Sequence, residues 1–196
     1  RMLKVIDKII KKTKHKFEFI DLGGGMGISY ANKTKKLNYK KYSSAINKFV
    51  KIHKSKIIFE PGRSIVGDTG VLITKIIYIK QTEKKYFIIL DSGMNDLMRP
   101  ALYNAKHQIF PVKKNNKISN IIHEFVGPIC ESTDKFLTSK NFQELKEKEL
   151  IIICDVGAYG MSLSSNYNVR PKPIEILVKG SKINIIKKRQ RLIDLI

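Results

Sequence analysis

From Gly70 onward the chain is a succession of short apolar runs, VLITKIIYIK, KYFIILDSG, HQIFPV, HEFVGPI and LIIICDVG, separated by glycine, proline or polar turns. Such runs read as strands. This part of the chain is therefore expected to be mainly β.

The first third has a different period. FEFIDL (17–22) reads as a buried strand and runs into a glycine cluster. Residues 39–53 carry apolar side chains at 42, 46, 49 and 50, the spacing of one helix face. KIIFE (56–60) reads as a second buried strand, stopped by Pro61 and Gly62. Strand, helix and strand make a βαβ unit with parallel strands. A boundary is expected near residue 68, with the end of an α/β unit before it and a β-barrel or sandwich after it. A chain of 196 residues with 42% hydrophobic content can bury one good core or two small ones. KKNNKISN (113–120) reads as an exposed polar loop, and the tail 187–196 as a short helix with Leu192, Ile193 and Leu195 packed inward.

Composition narrows the function classes. No stretch approaches the roughly 18 consecutive apolar residues of a membrane span, and RMLKVIDKIIKKTKHK has no apolar run for a signal peptide. A soluble cytoplasmic protein is the expectation. Cys130 and Cys154 give neither a disulfide framework nor zinc-ligand spacing, so reduced thiols and no metal are expected. The net charge of +21 would suit a nucleic-acid partner, yet only six of the 38 basic residues are Arg, and lysines flank nearly every apolar run. A phosphate-binding surface clusters its charge and favours arginine forks. A solvated surface and the codon bias of an AT-rich genome account for this pattern better, and no nucleic-acid partner is expected. A basic nucleic-acid-binding module remains the alternative that charge alone suggests.

Five segments could carry chemistry. Asp21-Leu-Gly-Gly-Gly-Met-Gly27 sets bare backbone between a strand and a helix, where N–H groups can be aimed at an anion. It lacks the Walker lysine and the dinucleotide spacing, so a phosphate cradle and a plain tight turn both fit. Glu60-Pro61-Gly62-Arg63 ends the next strand, where α/β barrels display catalytic and phosphate-binding groups. It could be a structural ion pair or an arginine fork for an anion. Between Asp91 and Tyr103, Pro100 can open a helical turn on which Arg99 and Tyr103 converge on one carboxylate. Otherwise Arg99 is a loop residue pairing with Asp96. Gly127-Pro-Ile-Cys130-Glu131-Ser132 places a thiol, a carboxylate and a hydroxyl in a row after a strand, as inert packing or as a site. Asp155-Val-Gly-Ala-Tyr159-Gly160 presents a tyrosine between glycines, in an ordinary turn or at a site.

In their order along the chain, DLGGGMG, EPGR, MNDLMRPALY, GPICES, GAYG and SSNYNVRPKP resemble the diaminopimelate decarboxylases, fold-type III pyridoxal-phosphate enzymes, over about residues 17–196. The resemblance implies the last strands and helices of a (β/α)8 TIM barrel over 1–68 and a C-terminal β-domain over 69–196. It implies a homodimer with shared sites, acting on meso-2,6-diaminopimelate to give L-lysine and CO2, the last step of lysine biosynthesis. Gly23, Gly24 and Gly25 would bind the cofactor phosphate, assisted by Arg63 or Tyr159, with Gly62 also cofactor-binding and Glu60 facing the pyridine nitrogen. Arg63, Arg99, Tyr103 and Tyr159 would bind substrate, with a carboxylate held by the arginines and Tyr103. Glu131 would take the distant amino group and Cys130 would act as proton donor. The lysine that anchors the cofactor lies in a Tyr-Ala-x-Lys-Ala pattern far upstream of DLGGG in that family, so this chain is expected to be a C-terminal part, inactive alone. Tyr30-Ala-Asn-Lys33 imitates the pattern but follows the glycine turn and continues with Thr34, so Lys33 is not taken as the anchor. Ornithine decarboxylases carry Asp after the cysteine and lack RPALY, which favours diaminopimelate. An ornithine, arginine or carboxynorspermidine decarboxylase, or a non-catalytic regulatory paralogue, are the alternatives.

Overall fold

The computed structural model describes residues 1–30 and 37–196. Lys33 lies outside the described residues. Contacts divide the chain into two units, 1–65 and 66–196, against the boundary near 68 expected from sequence.

In the first unit, helix α1 (Met2–Thr13) precedes strand β1 (Phe19–Asp21), helix α2 (Tyr39–His53) and strand β2 (Lys56–Ile58). The strands pair in parallel, Ile20 opposite Ile57, as a βαβ unit requires. Asn38 caps α2 by accepting from Lys41 N at 3.0 Å, and Lys54 ends it in the left-handed conformation. Leu3, Ile6 and Ile10 of α1 pack with Ile46 and Phe49 of α2 around Ile20 and Leu22. Asp7 ties the two helices together, 2.9 Å from Lys11 Nζ and 3.0 Å from His53 Nε2. One expectation needs correction: the strands are covered on one face only, since Phe19 is 51% exposed and Ile58 is exposed as well. The sheet of this unit has two strands among the described residues.

The second unit opens at the short helix α3 (Arg63–Val66), which straddles the boundary, and contains the mainly β part. Strands β3 (Leu72–Gln81), β4 (Lys85–Leu90), β5 (Ile109–Pro111), β7 (Ile122–Val126), β8 (Lys135–Ser139) and β10 (Leu150–Ile153) form one sheet in the order β5-β10-β3-β4-β7-β8. Helix α4 (Arg99–Tyr103) lies between β4 and β5. The sheet is mixed, since β4 and β7 run parallel while the other neighbours are antiparallel. β3 joins its halves: Leu72–Lys75 pair with β10, whereas Ile76–Gln81 pair with β4 across a bulge. Such a bulge bends and twists a strand. The result is one curled sheet where a β-barrel or sandwich was expected. Its core is Ile76, Ile88, Leu90, Leu97, Ile109, Phe125, Phe136, Ile151 and Ile153.

Small pairs complete the unit. β6 (Ile118–Ser119) pairs with β9 (Phe142–Gln143), so the segment read as a loop at 113–120 is part strand. β11 (Glu175–Lys179) and β12 (Lys182–Lys187) form a hairpin turned at Gly180. The C-terminal turn does not pack inward as expected: Leu192 is 63% and Ile193 64% exposed. Its bonds are local, with Asp194 accepting from Arg191 N at 2.7 Å. No described helix is long and apolar enough to cross a membrane.

Candidate functional site

Each unit brings a separate set of the predicted residues together. In the first, β1 runs into the glycine turn and β2 into the EPGR segment, so parallel pairing makes the two neighbours. Gly23 accepts from Glu60 N at 2.9 Å through its carbonyl, and its own N–H donates to Asp21 Oδ1 at 2.7 Å. Gly23 and Gly25 hold φ of 65° and 77°, which glycine adopts without the steric cost of a Cβ. A Cβ on Gly24 would stand 2.6 Å from the Glu60 carbonyl oxygen. The turn is thus closed to any other residue at its centre. Glu60 is exposed and forms no ion pair with Arg63, so of the two readings of this segment the structural ion pair is not seen. The Arg63 Nε is buried without a hydrogen-bond partner among the described residues.

In the second unit four motifs converge. Pro100 opens α4 and Asn104 closes it in the left-handed conformation at φ 51°. This makes the turn on which Arg99 and Tyr103 meet: the Arg99 guanidinium carbon is 5.8 Å from the Tyr103 ring centre. It is 5.6 Å from the ring of Tyr159, so the GAYG tyrosine joins the same cluster. Arg99 is only 6% exposed, while Tyr103 and Tyr159 remain exposed. Tyr159 sits at φ 60°, a backbone state that an aromatic residue adopts only when its surroundings impose it. Asp96 gives both oxygens to its own loop, accepting from Gly93 N and Asn95 Nδ2 at 3.0 Å each.

The GPICES segment follows β7. Cys130 and Cys154 are both free, Cys130 exposed and Cys154 partly buried. Glu131 is exposed and accepts from the hydroxyl of Tyr167, from the SSNYN segment. That hydrogen bond, with the carboxylate charge behind it, holds the Tyr167 phenol above its ordinary pKa. Ser165 N donates to the Asn95 carbonyl at 2.9 Å, and the Arg170 guanidinium donates to the Asp91 carbonyl. The SSNYNVR segment therefore spans the loop leading to α4 and the loop after β7. Asp134 lies beneath, and burial raises its pKa. Among the described residues no group of three or more His, Cys, Asp or Glu could hold a metal.

Tyr167, Arg170 and Asp134 were not among the residues singled out from sequence. The SSNYNVRPKP motif pointed to the first two without giving roles, whereas nothing local marks Asp134, whose partners lie in two separate loops.

Comparison with known proteins gives these groups a context. Residues 4–157 match the family model described as pyridoxal-dependent decarboxylase, C-terminal sheet domain. A diaminopimelate decarboxylase of Aquifex aeolicus is 38% identical over 189 residues, covering 95% of this chain and 45% of that protein. A Helicobacter pylori protein of the same name is 43% identical over 179 residues, covering 90% of this chain and 44% of its own length. The chain thus spans about half the length of the curated relatives it matches. Among solved structures, the Helicobacter pylori diaminopimelate decarboxylase complexed with L-lysine superposes with a TM-score of 0.86 at 42% identity, covering 98% of this chain and 48% of that one. A lysine/ornithine decarboxylase from Vibrio vulnificus reaches a TM-score of 0.68 at 19% identity, a likeness of fold alone.

Proposed function

Because this chain belongs to the pyridoxal-dependent decarboxylase family, of which it carries the C-terminal sheet domain, we propose that the longer protein converts meso-2,6-diaminopimelate to L-lysine and CO2 with pyridoxal 5'-phosphate. The observation that carries this reading is a pair of recognition groups in one unit. A buried arginine lies beside two tyrosine rings, and a carboxylate, Glu131, is held by a tyrosine hydroxyl. The first suits a substrate carboxylate and the second an ammonium group. Diaminopimelate has both at each end, whereas ornithine has a carboxylate at one end only. Relatives of the same name at about 40% identity, one of them described with L-lysine bound, support the choice.

The first unit fits the cofactor. Its central glycine admits no side chain, its flanking glycines have positive φ, and the buried Arg63 Nε has no hydrogen-bond partner among the described residues. Gly24 and Gly25 would offer N–H groups to the phosphate with Arg63 as a charged donor, whereas the Gly23 and Gly62 N–H groups are already given to Asp21 Oδ1 and the Glu60 carbonyl. Glu60 would keep the ring nitrogen protonated. When bound, pyridoxal phosphate supplies the electron sink that takes up the pair released as CO2 departs.

The protein's own groups do the rest. In the second unit Arg99, Tyr103 and Tyr159 bind and orient the substrate. Glu131 takes the ammonium group distant from the reaction, and Cys130 Sγ–H delivers a proton to the carbon that lost CO2. The exposed Cys130 suits a homodimer in which the GPICES segment of one protomer serves its partner's site. The first unit is read as the closing part of a (β/α)8 barrel in the longer protein, and the enzyme as cytoplasmic. The test is CO2 release by the full-length protein with pyridoxal phosphate, offered meso-diaminopimelate, L-ornithine, L-arginine and carboxynorspermidine. Release from meso-diaminopimelate is expected, and its absence overturns the reading.

A further inference from the structure

Asp134 has none of the roles above, yet it is the only buried carboxylate among the described residues, 3% exposed. Its Oδ1 accepts from Met94 N at 2.7 Å and its Oδ2 from Ile129 N at 2.8 Å. Its backbone closes the loop after β7: Gly127 N donates to the Asp134 carbonyl at 3.0 Å, and Asp134 N donates to the Glu131 carbonyl at 3.0 Å. The space is fully used, because a Cβ on Gly127 would stand 2.2 Å from Asp134 Oδ2. One side chain thus fastens two loops. Residues 91–98 lead into Arg99 and Tyr103, and residues 127–134 carry Cys130 and Glu131.

The chemistry of the fastening calls for a carboxylate. Each oxygen takes a backbone N–H from a different loop, and an amide of the same shape would turn a donor toward one of them. We propose that Asp134 is a positioning residue that fixes Cys130 and Glu131 relative to α4, governing substrate affinity and thiol presentation without touching substrate or cofactor. In the dimer proposed above, it would brace a loop serving one site against a loop serving the other.

The kinetic side of this proposal rests on the decarboxylase reading; the chemical side does not. The test uses the full-length enzyme loaded with pyridoxal phosphate and its Asp134→Asn variant. The labelling rate of Cys130 by iodoacetamide is followed by peptide mass spectrometry, with Cys154 as internal reference. Labelling of Cys130 is expected to rise several-fold relative to Cys154. KM for meso-diaminopimelate is expected to rise on the order of tenfold with a smaller fall in kcat, as when a binding group is misplaced. A folded variant that keeps either quantity at its wild-type value overturns the proposal. Inactive wild-type enzyme would instead sink the decarboxylase reading, and the labelling arm would then decide alone. Gly127→Ala, whose new Cβ must displace the Asp134 carboxylate, is expected to give the same signature. If neither variant folds, hydrogen exchange of the wild-type enzyme decides: peptides containing Met94 and Ile129 should exchange at one common rate, and independent rates overturn the proposal.

Discussion

At the scale of single residues, the candidate site depends on hydrogen bonds that cross between loops. Tyr167 holds Glu131, so Tyr167→Phe leaves the carboxylate in place without its donor. The loss of one hydrogen bond to a charged group is worth about 1.5 kcal/mol, so KM for meso-diaminopimelate should rise roughly tenfold with kcat little changed, measured by steady-state kinetics. Histidines act on stability. His107 and His123 are buried, and burial holds both below the ordinary imidazole pKa. An unfolded imidazole takes a proton near pH 6.5, so below that value the unfolded state binds more protons and stability falls. Asp96, Asp134 and Asp155, raised by burial, act in the opposite sense, gaining stability as pH falls toward the ordinary carboxylate value. Thermal unfolding of the full-length enzyme should therefore shift to lower temperature between about pH 7 and about pH 5.5. His123→Phe, set among the rings of Tyr86, Phe125 and Phe142, should flatten that dependence, and an unchanged slope would contradict the assignment.

At the scale of elements, the curled sheet presents the loops after β4, β7 and β10. Phe125 lies at its centre, fully buried, with the Phe142 ring 5.0 Å away. Phe125→Ala should cost about 3–5 kcal/mol in chemical denaturation. Gly24→Ala meets the Glu60 carbonyl and should weaken pyridoxal-phosphate binding roughly tenfold, the worth of one charge-assisted hydrogen bond, as read by cofactor titration. Elements such as these were legible where pattern and punctuation agreed: β1, α2 and β2 through a change of period, and β3, β4, β7 and β10 through apolar runs bounded by Gly, Pro or polar turns. In helix α1 the helical spacing of Leu3, Ile6 and Ile10 is masked by the lysines between them. β8, β9 and the β11–β12 hairpin are more polar or too brief to stand out. The parallel β4–β7 pairing and the division of β3 are decided by tertiary packing, which no local pattern contains.

At the scale of the whole molecule, the order of six motifs carried more information than any of them alone. It pointed to the family and to the residues at the strand ends, and the structure then brought four motifs of the second unit into contact. What the sequence could not supply was the through-space joining of loops by Asp134, Ser165 and Arg170, because each bond links segments dozens of residues apart. The net charge of +21, the loudest feature of the composition, has no part in this arrangement. The longer protein is proposed to select a substrate bearing an amino acid at each end. The most direct measurement of this selection is the ratio of kcat/KM for meso-diaminopimelate to that for L-ornithine, in full-length wild-type enzyme and in Glu131→Gln. A strong preference for meso-diaminopimelate is expected in the wild type, and in the variant a fall of that kcat/KM driven by KM. A wild type that favours ornithine, or a kcat/KM for meso-diaminopimelate that survives the substitution unchanged, would contradict it.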